Sequence, residues 1–112
     1  MTERNQRNSK RATVNMLVGE TKGGTYFMPL LANLSESGLM VENPAGLEQA
    51  DEKDTFMELM LPGCSDIIWA RCKQVRKSCH GFFQARAYKF VNISAVDRKQ
   101  IRAYLQRCVG LT

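Results

Sequence analysis

Two short patterns of polar residues are the part of this sequence best suited to chemistry. Arg7 and Arg11 lie four residues apart in a basic segment, and the stretch Asn33-Leu-Ser35-Glu-Ser-Gly38 follows further along the chain. A guanidinium group can donate two parallel hydrogen bonds to a phosphate or to the O6/N7 edge of guanine. Asn33 and Ser35, at positions i and i+2 of a strand, would point to one side, and the glycine permits a tight turn or a close backbone approach. Together the patterns predict a pocket for a guanine-containing phosphate ligand.

The elements that must position these residues are predicted to be mostly strands. Residues 1–10 are polar and charged and have no periodic apolar pattern, so we expect a flexible basic tail there. Residues 11–112 form the predicted folded domain. Alternating or apolar stretches bounded by turn residues predict six strands, at 11–18, 25–34, 38–43, 55–61, 67–77 and 82–93.

The last part of the chain changes to a helical period. Ser94 is a suitable N-cap, and Asp97 lies in the predicted first turn. The spacing i, i+3, i+4, i+7 of one helix face is followed by Ile101, Tyr104, Leu105 and Cys108. The sequence therefore predicts a mainly β fold, a small six-stranded antiparallel β-barrel with a C-terminal α-helix, because closing the sheet hides its edges.

The two polar patterns, in this order, resemble the signature of the PilZ domain, the bacterial receptor module for cyclic di-GMP. That signature is R-x-x-x-R followed by D/N-x-S-x-x-G, and this sequence has Arg7-Asn-Ser-Lys-Arg11 followed by Asn33-Leu-Ser35-Glu-Ser-Gly38. Residues 67–105, with their KF-x-N-x-S junction before a terminal helix, are similar to the closing section of the family. The sequence departs from the signature at Asn33, where many members carry aspartate. Asparagine lacks the charge with which aspartate can pair with arginine or with guanine N–H groups.

The resemblance, which covers residues 7–108, implies a cyclic di-GMP receptor or adaptor. It implies that Arg7 and Arg11 wrap a ligand held on the barrel. The ligand then orders the tail, and the altered surface is presented to a protein partner that the sequence does not identify. The resemblance also implies that Asn33 bonds a guanine edge, that Ser35 bonds a phosphate or a nearby group, and that Gly38 keeps the floor of the site open.

Trp69 and Arg71 are two further candidates for ligand binding. They lie at i and i+2 of a predicted strand and therefore share one face. A face that combines an aromatic ring with a guanidinium favours a base-stacking wall. Trp69 considered alone is equally compatible with an aromatic residue of the core.

Two other functions stay open at this point. A small basic β-barrel could bind single-stranded nucleic acid, in keeping with the net charge of +5. Only 8% of the residues are aromatic, and the basic residues concentrate in the tail and the helix, which disfavours that function. A PilZ-fold adaptor without ligand binding is the other alternative, and the intact motifs argue against it.

Catalytic, metal and membrane functions find little support in the sequence. His80 is the only histidine, no two cysteines have C-x-x-C spacing and no nucleophile motif is present, so we expect neither an enzyme, nor a metal site, nor a cofactor. No apolar run approaches the roughly 20 residues of a membrane span, and the N-terminus lacks the apolar core of a secretory signal. We therefore expect a cytoplasmic protein with free thiols.

Overall fold

The computed structural model describes residues 11–44, 54–64 and 66–110, which form eight strands and one helix. Within these ranges no helix is both long and apolar enough to cross a membrane. In chain order the elements are β1 Arg11–Leu17, β2 Gly19–Lys22, β3 Thr25–Phe27, β4 Leu30–Ser35, β5 Gly38–Pro44, β6 Asp54–Leu59, β7 Ile68–His80, β8 Phe83–Ile93 and α1 Ala95–Gly110.

All eight strands belong to one curled antiparallel sheet with the order β1-β4-β5-β8-β7-β6-β2-β3. Only Val18 separates β1 from β2, yet β1 pairs with β4 and β2 pairs with β6. These partners lie towards opposite ends of the strand order. One short length of chain therefore belongs to both ends of the sheet, which requires the sheet to curl.

The number of strands differs from the six predicted. The predicted strand 25–34 is two strands, β3 and β4, because Met28 and Pro29 interrupt it and proline cannot donate to a strand ladder. The predicted strand 11–18 is β1 alone, and β2 follows it beyond Val18. The amide of Val18 donates to the carbonyl of Pro29 at 3.0 Å, so the two breaks lie side by side. The mainly β antiparallel fold with a C-terminal helix is confirmed. The predicted six-stranded barrel is instead a curled sheet of eight strands, with β1 and β3 at its two ends.

The helix α1 covers an apolar core. The Ser94 hydroxyl accepts a hydrogen bond from the amide of Asp97 at 3.0 Å, which confirms the predicted N-cap. Ile101 and Leu105, on the predicted face, are fully buried. They belong to one cluster with aliphatic side chains of the strands and loops, among them Leu31, Leu34, Val41, Met57, Leu59, Leu61 and Ile68.

The interior of the sheet also holds an ion pair between Arg86 of β8 and Glu20 of β2. The two side chains are 2% and 0% exposed, and the guanidinium donates to both carboxylate oxygens, at 2.5 and 3.0 Å. Arg86 also donates twice to Asn43 Oδ1 of β5, and the Tyr88 hydroxyl donates to Glu20 at 2.7 Å. Burial and the hydrogen bond to Glu20 raise the pKa of Tyr88 well above its ordinary value. The buried charges are compensated, and they join β2, β5 and β8.

We expect the loss of one partner of this buried pair to be strongly destabilising. Glu20→Gln leaves the Arg86 guanidinium buried without its counter-ion, at a cost of about 3–5 kcal/mol in the free energy of unfolding. The control is the exposed pair of Arg71 and Asp54, at 3.1 Å, where Arg71→Met should cost less than about 1 kcal/mol. Urea unfolding measures both values. Equal losses for the two variants would contradict the importance of the buried pair.

Candidate functional site

A depression of about 230 Å³ lies on the outer face of the sheet, where β4, β5, β8 and β7 run side by side. The strand register explains its lining. Asn33 is opposite Met40, Met40 is opposite Ala87, and Ala87 is opposite Arg76. Residues directly opposite each other in an antiparallel pair share one face, so these four residues form a row across the sheet.

A second row of outward-facing positions borders the first. It contains Gly38 of β5 and Lys89 of β8, which are register partners. Because Gly38 and Ala87 carry little or no side chain, the floor of the depression is low. The rim carries the amide of Asn33 and the cationic side chains of Arg76 and Lys89. This arrangement suits an anionic ligand that also has hydrogen-bonding edges.

Gly38 lies directly against the backbone of β8. A Cβ atom at this position would overlap the carbonyl oxygen of Tyr88 and would lie 3.0 Å from Cα of Lys89. The φ angle of Gly38 is not positive, unlike that of Gly81 in the β7–β8 turn. Of the two alternatives that the sequence left open, close backbone approach is therefore the reason for glycine here.

Ser35 organises the turn between β4 and β5. Its hydroxyl oxygen accepts hydrogen bonds from the amides of Ser37 and Gly38, both at 3.2 Å, and the residue is 7% exposed. The side chain thus closes the turn that carries the second sequence pattern, as serine does in many turns. A bond from Ser35 to a ligand phosphate stays a prediction.

The strand register brings part of the first pattern to the second. In the pairing of β1 with β4, Arg11 is the register partner of Ser35, and Thr13 is the partner of Asn33. The chain therefore enters the sheet at Arg11 beside the serine of the second pattern. Arg7 and the predicted tail, residues 1–10, lie outside the described residues, so the arginine clamp and its ordering stay predictions.

Trp69 and Arg71 lie elsewhere on β7. Both are exposed and share the outer face, but Trp69 is opposite Glu58 and Arg71 is opposite Phe56 of β6, and neither lines the depression. The Arg71 guanidinium donates to both carboxylate oxygens of Asp54, at 3.2 and 3.1 Å. Trp69 is 57% exposed, so it is not a core residue. Contact of either side chain with a ligand stays a prediction.

Arg76 and Lys89 are the rim residues that the sequence analysis missed. Arg76 reaches this face because the register of β7 against β8 shifts between Gln74 and Arg76, and the sequence contains no clear signal for that irregularity. Lys89 belongs to the KF-x-N-x-S junction, so it was visible as part of a pattern. Its place beside Gly38 depends on the pairing of β5 with β8, which joins distant parts of the chain.

The helix α1 is tied to the turn of the second pattern. Arg102 donates from Nε and Nη2 to Oε1 of Glu36, at 3.2 and 3.1 Å. Arg98 donates to the carbonyl oxygen of Glu36 at 3.0 Å. Two basic residues of the helix, Arg98 and Arg102, thus contact the sheet at the turn between Ser35 and Gly38.

The described ranges contain no group of three or more histidine, cysteine or acidic residues placed to hold a metal ion. The four cysteines are free thiols. Burial raises the pKa of the Cys72 thiol to about 12, so this thiol stays protonated near neutral pH.

Comparison with known proteins supports the fold described above. The family model of the PilZ domain matches residues 5–107. The chain belongs to the PilZ domain family. No match to it was found among curated protein sequences.

Solved structures share the fold of this PilZ domain. The inhibitor of motility MotI/DgrA of Bacillus subtilis has a TM-score of 0.77 and 19% identity over 94% of this chain and 50% of that chain. YcgR of Escherichia coli in complex with c-di-GMP has a TM-score of 0.68 and 14% identity over 95% of this chain and 47% of that chain. The PilZ domain of YcgR with c-di-GMP has a TM-score of 0.62 and 15% identity over 95% of this chain and 93% of that chain. The chain thus spans about half the length of the first two proteins.

We expect Gly38→Ala to disturb both the fold and the site. The added methyl group must displace the backbone of β8, which should lower the free energy of unfolding by about 1–3 kcal/mol. Ser37→Ala, which removes from the same turn one hydroxyl and its 3.1 Å hydrogen bond to the Ser35 hydroxyl, is the control and should cost less than about 1 kcal/mol. Chemical denaturation of both variants checks this. A Gly38→Ala variant as stable as the parent would show that the two backbones are not in close contact.

Proposed function

We propose that this PilZ domain is a cyclic di-GMP receptor or adaptor, and not an enzyme, and that the ligand binds in the depression beside Gly38. The observation that carries the proposal is the pairing of β1 with β4. It sets Arg11 opposite Ser35, at the edge of a depression with a low floor and a polar, cationic rim. The family membership and the solved complexes of YcgR and of PlzA from Borreliella burgdorferi with c-di-GMP support the choice of ligand.

The chemistry of the ligand matches the residues around the depression. Cyclic di-GMP carries two guanine bases and two phosphodiester groups. The amide of Asn33 can both donate to and accept from a guanine edge. Arg7 and Arg11 offer guanidinium forks for the O6/N7 edge or for phosphate oxygens. Trp69 and Arg71 extend the proposed site for a ligand that reaches along β7 beyond the depression.

In this proposal the signal is transmitted by ligand binding alone, and no reaction is catalysed. In this proposal the ligand supplies acceptors for Arg7 and Arg11, and the resulting charge-assisted hydrogen bonds offset the entropy of ordering residues 1–10. A cytoplasmic protein partner that distinguishes the two states of the tail then reads the ligand. The size of the response is limited by the difference in the ligand's affinity for these states.

Calorimetric titration with cyclic di-GMP tests the proposal. We expect Arg7→Ala or Arg11→Ala to weaken binding by about 1–3 kcal/mol, the value of a bidentate guanine contact, without lowering the melting temperature. Lys99→Ala removes an exposed charge from α1 and is the matched control, with unchanged affinity. Cyclic di-AMP should bind more weakly, because adenine replaces one acceptor of the guanine edge by a donor.

Three results would contradict this function. The absence of binding heat with cyclic di-GMP would favour a PilZ-fold adaptor that does not bind the ligand. Tighter binding of oligothymidine than of cyclic di-GMP, with a steep dependence on salt, would favour the single-stranded nucleic-acid alternative. Full affinity in the Arg7→Ala variant would remove the tail from the site, and full affinity in the Arg11→Ala variant would remove the start of β1 from it.

A further inference from the structure

The β7–β8 hairpin has an unusual distribution of charge. Residues 67–96 contain no aspartate or glutamate and six lysine or arginine residues. Two of the six are neutralised by ion pairs with other strands, Arg71 by Asp54 and Arg86 by Glu20. The remaining four form no ion pair with any residue of the described ranges, and they are Lys73, Arg76, Lys77 and Lys89.

Two of these unpaired cations are placed directly against each other. Lys73 of β7 and Lys89 of β8 are register partners, and both are exposed. Like charges at directly opposite positions of an antiparallel pair destabilise it. Asp54 is the partner of Lys73 on the other side, but its carboxylate is bonded to Arg71. The sheet therefore carries a repulsion that a bound anion would relieve.

Two of the four cations, Arg76 and Lys89, line the depression, and Lys73 lies beside it as the register partner of Lys89. Lys89 is opposite Gly38, which has no side chain to cover it, and both residues line the depression together with Arg76. Lys73 is the next position outward in the row of Gly38 and Lys89. Lys77 is exposed on the same hairpin, but it does not line the depression. The unpaired charge is thus concentrated at one side of the site, opposite the edge where β1 enters.

We propose that Lys73, Arg76 and Lys89 form a phosphate subsite on the folded sheet that does not depend on the arginine tail. Two ammonium groups and a guanidinium fork suit the oxygens of one phosphate group, and the small side chains of the floor leave room for it. In a ligand with two phosphodiester groups, this subsite holds one of them and Arg7 and Arg11 hold the other. The identity of that ligand rests on the proposed function, whereas the phosphate subsite does not.

The test compares Lys73→Met/Lys89→Met with Lys77→Met, a matched control on the same hairpin. Without ligand at low salt, the double variant should melt about 2 °C higher than the parent, because a cross-strand repulsion is removed. Lys77→Met should be nearly unchanged, because its cross-strand partner Arg86 is already neutralised by Glu20. Inorganic pyrophosphate should raise the melting temperature of the parent and of Lys77→Met, and should raise that of the double variant by less than half as much. The affinity for cyclic di-GMP should fall about tenfold in the double variant alone.

The outcomes separate this inference from the proposed function. Pyrophosphate stabilisation that depends on Lys73 and Lys89 supports the subsite even if cyclic di-GMP does not bind. The failure of cyclic di-GMP to bind would contradict only the choice of ligand. Equal stabilisation of the parent and the double variant by pyrophosphate overturns the subsite even if cyclic di-GMP binds. An equal loss in Lys77→Met also overturns it, because the effect would then come from net charge. Arg76→Gln provides a second variant and should lose pyrophosphate stabilisation in the same way.

Discussion

The buried ion pair between Arg86 and Glu20 determines which side chains of β8 face outward. Side chains alternate along a strand, so Ala87 and Lys89 face outward when Arg86 and Tyr88 are inside. A slip of one residue would expose the guanidinium and bury the ammonium of Lys89, and each change would leave a buried charge without its partner. The floor and the rim of the depression therefore depend on an interaction in the interior that they do not touch.

The turn after β4 is held from two sides. Inside the turn, the Ser35 hydroxyl accepts hydrogen bonds from two amides, and Gly38 rests on the backbone of β8. Outside it, Glu36 is held by two arginines of α1. The side chains of Arg102 and Glu36 are 49% and 29% exposed, so their ion pair is worth only about 0.2–1 kcal/mol. A contact of this strength orients the turn relative to the helix without locking it, and it links the site to the last element of the fold.

Local features of the structure could be predicted well from the sequence. The helix was predictable because Ser94, Ile101 and Leu105 provide a cap and an apolar face within a few residues of one another. The long strands of the hairpin were predictable for the same reason. For Gly38 the sequence left a tight turn and a close backbone approach open, because the backbone that it contacts belongs to β8, far along the chain. Long-range features were not predictable in the same way. The break at Val18 depends on its bond to Pro29, and the outward position of Arg76 depends on an irregularity in the pairing of two strands.

The same distinction between local and long-range features applies to the site. The sequence placed Trp69 and Arg71 correctly on one face of a strand, but it could not tell how far along that face the depression lies. The register of β4, β5, β8 and β7 decides this point, and it brings Arg76 and Lys89 to the depression instead. The two motifs identified the family because their spacing is a local property. The cationic side of the site comes from parts of the chain that meet only in the fold.

The most direct test of the central claim is amide NMR mapping of the domain during titration with cyclic di-GMP. The account predicts that the largest shifts at saturation fall on residues 33–40, on Arg76 and on residues 87–89, which form the depression. It also predicts that the amides of residues 1–10 lose mobility in the complex. Saturation with shifts confined to other surfaces, such as the exposed face of α1, would contradict the assignment of the depression as the binding site.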